Sequence, residues 1–380
     1  MKSWLKSSFK RIIRKKDTIP SLINVYLSKS ALLYNLNQFR TLVPDKAIAP
    51  VLKGNAYGHG IKQISYLLKD EKVPFFIIDS YFEAKAIRNE GMRTPLLIVG
   101  YSNTNSISGN TLKNISFTIT SIEALEELSI KINKKIKIHL KIDTGMHRQG
   151  ILFHEIDNAI KIINRNKNII LEGICSHLAD AENTDTNFTK NQIIKWNDIV
   201  KIFKDQFPTL KYWHISNTAG TVHREAEANM VRLGIGLYGF TEVKGVNMKP
   251  ILEVRTIISS IKKINKGDAI GYGRTFIATD DMTIATIPMG YYEGIDRRLS
   301  NRGYVKIKDT FCPIVGRVSM NITVIDISKI INPKIGDEVI VISNRKEDKN
   351  SIENIAKICE TIPYEMAVPI ALHLKRCVVE

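Results

Sequence analysis

No stretch of about eighteen consecutive apolar residues occurs in this 380-residue chain, so no membrane-spanning helix is expected. Cysteine is scarce. The four present, Cys175, Cys312, Cys359 and Cys377, form no CxxC pair and lie among apolar neighbours. They read as reduced core thiols of a cytoplasmic protein, with no metal site to be expected from them. No recognised nucleic-acid-binding module appears either, although the formal net charge is +17. The basic residues are scattered and Lys, Ile and Asn are abundant throughout, so compositional bias accounts for the charge and no nucleic-acid partner is expected.

What is present is ordinary for a folded chain: 44% hydrophobic and 24% charged residues, over a length that suggests two domains. One segment stands apart. "MKSWLKSSFKRIIRKKD" carries seven Lys or Arg against one Asp, with Trp4, Leu5, Phe9, Ile12 and Ile13 spaced as one helix face. That pattern suits either weak contact with an anionic membrane surface or a solvated extension, and it lacks the apolar core of a secretory signal.

From residue 20, strand-like and helix-like segments alternate. The strand candidates are "KAIAPVLK", "FFIID", "PLLIVG", "SFTIT", "KIHLKID", "IILEGICSHL", "YWHISN" and "MVRLGIGLYG", with helical patterns such as "SIEALEELSIKI" between them. Eight such strands predict an α/β fold, a closed (β/α)8 TIM barrel whose reactive groups gather at the strands' C-terminal ends. From about residue 249 the pattern changes to short alternating strands with glycine turns: "ILEVRTIISSIKKI", "MTIATIPMG", "GYVKIKDTF", "PIVGRVSMNITVIDIS" and "DEVIVIS", with "SIENIAKICETI" as a helix. The expected division is a basic extension over 1–19, the barrel over 20–248 and a mainly β domain over 249–380.

Lys53 ends the first barrel strand. It is either a solvated lysine at a strand edge or an amine made nucleophilic by desolvation and able to form an imine with an aldehyde cofactor. Polar residues end other strands: Lys141, Asp143 and Arg148 in "KIDTGMHRQG", His177 in "SHLADAEN", and Arg232 before Gly234 and Gly236 in "VRLGIGLYG". The two glycines are expected to leave backbone N–H groups free to approach a phosphate. Each signal is weak alone. Lysine, arginine and phosphate-cradling glycines on one rim are together the parts of a pyridoxal 5'-phosphate site.

From about residue 20 to residue 376 the chain resembles the alanine racemase family, the fold-type III pyridoxal-phosphate enzymes. The resemblance rests on "VLKGNAYGHG", "KIDTGMHRQG", "SHLADAEN", "HISNTAG", "VRLGIGLYG", "IGYGRTF", "IPMGYYEGIDRRLSNRG" and "GRVSMN", in that order. It implies that Lys53 holds the cofactor covalently and serves as the base on one face of the substrate. Tyr272 would be the base on the other face, supplied by the second domain of a partner subunit in a homodimer with shared sites. Tyr57, Thr218, Gly234 and Ile235 match positions that hold the phosphate, Asn217 belongs to the same cofactor-binding group, and Arg232 matches the residue facing the pyridine nitrogen. His177 matches the cofactor-side residue that supports the tyrosine base. Arg148 and the Met320 backbone match groups that meet the substrate carboxylate, with Tyr291 nearby, and Lys141 matches a lysine that is often carbamylated.

The implied activity is interconversion of L- and D-alanine. Two departures bear on substrate choice: Asn321 stands where the family usually has Asp, adding an amide donor that could meet a substrate hydroxyl, and Leu372 stands where a tyrosine usually bounds the pocket. They leave open racemisation of serine or a broader set of amino acids. Two further readings compete. A decarboxylase on the same barrel would carry a C-terminal cysteine motif that is not found. A non-catalytic carrier of the cofactor would have no use for the second domain with Tyr272.

Overall fold

The structure is a computed structural model that describes residues 19–183, 186–241, 243 and 245–380. The basic extension read in residues 1–17, with the surface contact expected of it, lies outside the described residues. Among those described, no helix is long and apolar enough to cross a membrane.

After a first strand, β1 (Asn24–Ser28), the chain lays down eight strands: β2 (Ala47–Pro50), β3 (Phe76–Ile78), β4 (Leu96–Ile98), β5 (Ile115–Ile119), β6 (Ile136–Lys141), β7 (Ile169–Cys175), β8 (Tyr212–His214) and β9 (Met230–Leu233). Strands β3 to β8 form one parallel sheet in sequence order, and β2 pairs in parallel with β9. The cylinder closes at two seams. Val51 bridges Ile77 in parallel, and Asn229 and Arg232 donate their N–H groups to the Trp213 and Ser216 carbonyls, both at 3.1 Å. The eight strands are those expected from the sequence, and the result is the (β/α)8 barrel.

The local reasons are legible. β5 is buried along its whole length, as a strand covered on both faces must be, hence its continuous apolar run. The helix expected after it spans Ile122–Lys131 and starts where the Ser121 side chain accepts from the Ala124 N–H, a cap that satisfies a donor the first turn leaves free. Phe76, Phe117, Ile138, Leu140 and Ile174 are fully buried around the strands.

The second region is mainly β. Its larger sheet contains β10 (Leu252–Ile257), β15 (Tyr304–Ile307), β16 (Thr310–Pro313), β18 (Glu338–Ile342) and β19 (Lys375–Val379). Strand β1 lies inside that sheet, antiparallel to β10 and parallel to β19. The N-terminal strand therefore ties the barrel to the β region, a connection that a linear division at residue 248 does not reveal. A second sheet joins β11 (Ser260–Ile264), β14 (Met282–Ile287) and β17 (Thr323–Asp326). Along the chain between β11 and β14 a small ribbon, β12 (Ala269–Ile270) with β13 (Phe276–Ile277), presents a turn.

Two strand expectations are corrected. "ILEVRTIISSIKKI" divides into β10 and β11, and "PIVGRVSMNITVIDIS" keeps pairing only through the Ile314–Ile325 bridge and the Val315 N–H, then loops out before β17 begins at Thr323. The second break has a physical cause: Gly316 has φ +76°, and a Cβ there would stand 2.9 Å from the Ile270 carbonyl oxygen. The loop so formed carries Met320 and Asn321.

Candidate active site

Lys53 leaves β2 through an unusual turn. Gly54, Asn55, Ala56 and Tyr57 all have positive φ, between 52° and 61°, a left-handed turn that costs roughly 1–2 kcal/mol at each of its non-glycine residues. Such strain persists only where the surroundings over-determine it. Here the Asn55 N–H donates to Glu83, Asn55 Oδ1 accepts the Ile61 N–H at 3.0 Å, and buried His59 turns Nδ1 to the Ala56 and Tyr57 carbonyls. From the C-terminal strand, Arg376 donates to the carbonyls of Gly58 and His59 at 2.8 and 3.1 Å. Lys53 itself is exposed in the protomer, so the desolvation considered from sequence is not supplied by its own chain.

The turn delivers Tyr57 to the mouth between β2 and β9. Its ring packs against Tyr238 and Tyr364, with centroids 5.1 and 5.6 Å away. Burial, then the neighbouring Tyr364, pushes its phenol upward, so Tyr57 is a protonated donor at neutral pH. Its hydroxyl faces Gly234, where an added Cβ would lie 2.9 Å from Tyr57 Oη. Thr218 Oγ1 accepts the N–H groups of both Gly234 and Gly236 at 3.2 Å. That corrects the expectation that these two donors stand free: in this protomer a hydroxyl already occupies them. Ile235 opens the short turn that follows. Asn217 uses its side-chain oxygen on the Gly220 N–H at 2.8 Å, shaping the adjoining turn. Beside it, the buried Ser216 Oγ has no hydrogen-bond partner among the described residues.

Arg232 points from β9 into the barrel and is buried with no carboxylate partner among the described residues. Its Nη1 donates to Nδ1 and to the carbonyl of His214 at 2.7 and 2.9 Å. Its Nη2 donates to the Ser176 and Ile215 carbonyls, both at 2.8 Å, and to His177 Nδ1 at 3.0 Å. His177 is thereby an acceptor at Nδ1. Burial, followed by the cations Arg232, Lys141, Arg148 and Lys53, pulls its pKa down to about 2, so the ring is neutral and its proton sits on Nε2. Lys141, at the end of β6, is also shifted down, first by burial; Cys175 opposes the shift, and Arg232, Arg148 and Lys53 add to it. Asp143 turns its carboxylate to the Gly145 and His147 N–H groups and so shapes the loop that carries exposed Arg148. Among the described residues, none of Lys53, Lys141, Arg148 and Arg232 is ion-paired with a carboxylate.

Tyr272, Tyr291 and Met320 form a second group. All three line a cleft of about 680 Å³ whose wall is drawn only from residues 272–369, with no barrel-rim residue in it. Tyr272 sits at the tip of the β12–β13 ribbon, 72% exposed, held up by Gly271 and Gly273 at φ +69° and +70°. Tyr291 and Tyr292 donate their N–H groups to the Ser319 and Met320 carbonyls at 3.0 and 2.9 Å. Gly290 permits that approach, since a Cβ there would stand 2.2 Å from the Ser319 oxygen. One of the two amide donors of Asn321, which is itself exposed, is engaged within the protein: Nδ2 donates to Glu293 Oε1 at 2.6 Å. Leu372 is 75% exposed.

Sequence reasoning thus found the rim residues that the barrel brings together. It missed Ser216, and it missed His139 and His214 behind Arg232, whose role depends on barrel geometry and leaves no local pattern.

A lysine, a cation-rich rim and a hydroxyl-lined glycine turn at the mouth of such a barrel, followed by a β domain with an exposed tyrosine, define an amino acid racemase class. The comparisons are specific. The alanine racemase N-terminal domain matches residues 27–242 and the C-terminal domain residues 251–378. Alanine racemase 1 of Caldanaerobacter subterraneus subsp. tengcongensis is 34% identical over 367 residues, 94% of each chain. The structure of alanine racemase from Clostridium difficile 630 superposes with TM-score 0.87 at 30% identity, covering 95% of this chain and 96% of the other. That of Bacillus anthracis alanine racemase with bound L-Ala-P gives TM-score 0.88 at 26% identity, covering 95% and 96%. The chain belongs to the alanine racemase family, and its activity is the interconversion of L- and D-alanine.

Proposed function

We propose that the chain racemises alanine with pyridoxal 5'-phosphate, as a cytoplasmic homodimer in which each site combines the barrel rim of one subunit with Tyr272, Tyr291 and Met320 of the other. The observation that carries this reading is the rim: Lys53, Lys141, Arg148 and Arg232 surround neutral His177 with no paired carboxylate. Beside them Tyr57 Oη and Thr218 flank Gly234, and the buried Ser216 Oγ has no partner among the described residues. Such a set suits an anionic, phosphate-bearing ligand.

When bound, the cofactor supplies an electron sink that makes the substrate α-hydrogen acidic. The residues have separate duties. Tyr57, Thr218, Gly234 and Ile235 would hold the phosphate, with Asn217 shaping the next turn, and Arg232 would serve the ring nitrogen. An arginine does not surrender its proton, so Arg232 would not protonate that nitrogen and would restrain side reactions. Arg148, with the Met320 backbone, orients the substrate carboxylate, Tyr291 closes the pocket nearby, and Lys141 braces Arg148, as an amine or carbamylated. Lys53 anchors the cofactor. In each turnover Lys53 Nζ and the Tyr272 Oη of the partner subunit exchange protons with opposite faces of the α-carbon, one accepting while the other donates. The chain's own fold supports the shared arrangement, because Tyr272 belongs to a cleft separate from the rim and is exposed together with Met320 and Leu372.

A wider substrate range rests chiefly on Leu372, since Glu293 takes one of the two Nδ2–H donors of Asn321. The reading is tested with Lys53→Ala: the visible-edge absorption of the purified protein should vanish, and loss of optical rotation in L-alanine should slow by several powers of ten. Retention of both would refute it.

A further inference from the structure

Arg232 raises an electrostatic question that the rim does not answer. A guanidinium buried in a barrel is costly unless a compensating charge lies near, and among the described residues no carboxylate touches it. The nearest route to one runs inward through two histidines. His214 takes an Arg232 N–H at Nδ1, and His214 Nε2 lies 2.9 Å from His139 Nδ1. His139 Nε2 in turn stands 3.7 Å from Glu172 Oε2, ion-pair distance and too long for a hydrogen bond. Both imidazoles are fully buried. Gly173 makes room for the second: a Cβ there would lie 2.7 Å from the His139 ring.

The donor end fixes the direction. Since Arg232 can only donate, His214 Nδ1 accepts and His214 carries its proton on Nε2, which donates to His139 Nδ1. His139 then carries its proton on Nε2, facing the carboxylate. Burial lowers the pKa of both rings, reinforced by Arg232 at His214 and only partly offset by Glu172 at His139, so both are neutral and their N–H dipoles point the same way. Glu172 is ionised: burial raises its carboxyl, but His139, Lys137 and Ser116 outweigh that and hold it at about 2. Lys137 donates to it at 2.7 Å and Ser116 through a short hydrogen bond.

We propose that Glu172 is the counter-charge of Arg232, acting through the two aligned imidazoles, and is a positioning residue for the racemase site. Its link to that site rests on the reading of Arg232 as the residue facing the cofactor ring. The relay itself does not depend on a bound cofactor, and the two can be tested apart.

Glu172→Gln preserves shape and removes the charge. In the cofactor-free full-length protein, nitrogen-edited NMR should show both His139 and His214 protonated at Nε2 in the wild type. In Glu172→Gln the Nε2–H resonance of His214 should shift and lose exchange protection, although His214 does not touch residue 172; an unchanged His214 signal would overturn the relay. The second arm measures pyridoxal phosphate affinity by titration of the visible absorption. Glu172→Gln should weaken it about fivefold, whereas in a His139→Phe background, which interrupts the relay beyond Arg232's own contacts, the same change should cost less than about twofold. Equal losses in both backgrounds would mean that Glu172 acts only through Lys137 and Ser116, and the proposal would fail. A wild-type protein that took up no cofactor at all would instead sink the reading of the site, leaving the NMR arm to decide the relay.

Discussion

Arg232 donates a 3.0 Å hydrogen bond to Nδ1 of His177, and that bond makes the imidazole a neutral acceptor at the centre of four cations. The histidine therefore serves the site by its lone pair and its outward Nε2–H, not by titrating.

The same fact sets the acid stability. His177 is held at about 2, and His59, depressed first by burial, at about 4, against roughly 6.5 in an unfolded chain. Between those values the unfolded chain binds more protons than the folded one, so the stability is fully present above about pH 6.5 and is lost as pH falls, by up to about 1.4 kcal/mol per pH unit for each ring. Thermal melts should drop steadily from pH 7 to pH 5, less steeply in His177→Gln. Parallel pH curves for the two proteins would contradict this assignment.

Gly234→Ala tests the phosphate cradle. The new Cβ would sit 2.9 Å from Tyr57 Oη, so the hydroxyl must move away from its present place against Gly234. Loss of one hydrogen bond to a bound phosphate corresponds to about a tenfold weaker cofactor affinity, ~1.4 kcal/mol. Titration of the visible absorption checks it, and an unchanged affinity would remove Tyr57 from the cradle.

Asn321→Ala separates a structural amide from a substrate-reading one. Because Asn321 Nδ2 donates to Glu293 Oε1, the substitution leaves a carboxylate oxygen without that partner and should cost about 1–3 kcal/mol of stability. The ratio of initial rates on L-alanine and L-serine should stay within about threefold of wild type. A selective loss of serine turnover would show that the amide reaches the substrate after all.

Much of this was legible in the sequence. The eight barrel strands are continuous apolar runs broken by turn residues, and a closed barrel leaves little choice about which ends carry Lys53, Lys141, His177 and Arg232. What was not legible depends on register across the cylinder. Gly173 faces His139 because the β6–β7 pairing shifts between Ile138 and His139, and no periodicity announces such a shift. The left-handed turn at 54–57 is equally hidden, because Asn55, Ala56 and Tyr57 give no local reason to adopt positive φ and are held there by Glu83, His59 and Arg376. Strand β1 escapes a linear reading for a related cause: its partners β10 and β19 lie more than two hundred residues downstream.

The central claim is that a working site draws Lys53 from one subunit and Tyr272 from another, and mixing two inactive variants tests it most directly. Lys53→Ala and Tyr272→Phe chains, each inactive alone, should recover activity when combined under conditions of confirmed subunit exchange. Equal amounts give hybrid dimers in about half of the population, each with one intact site of two, so recovery should approach about a quarter of the wild-type rate. Activity that stays at the level of the separate variants would contradict the shared site.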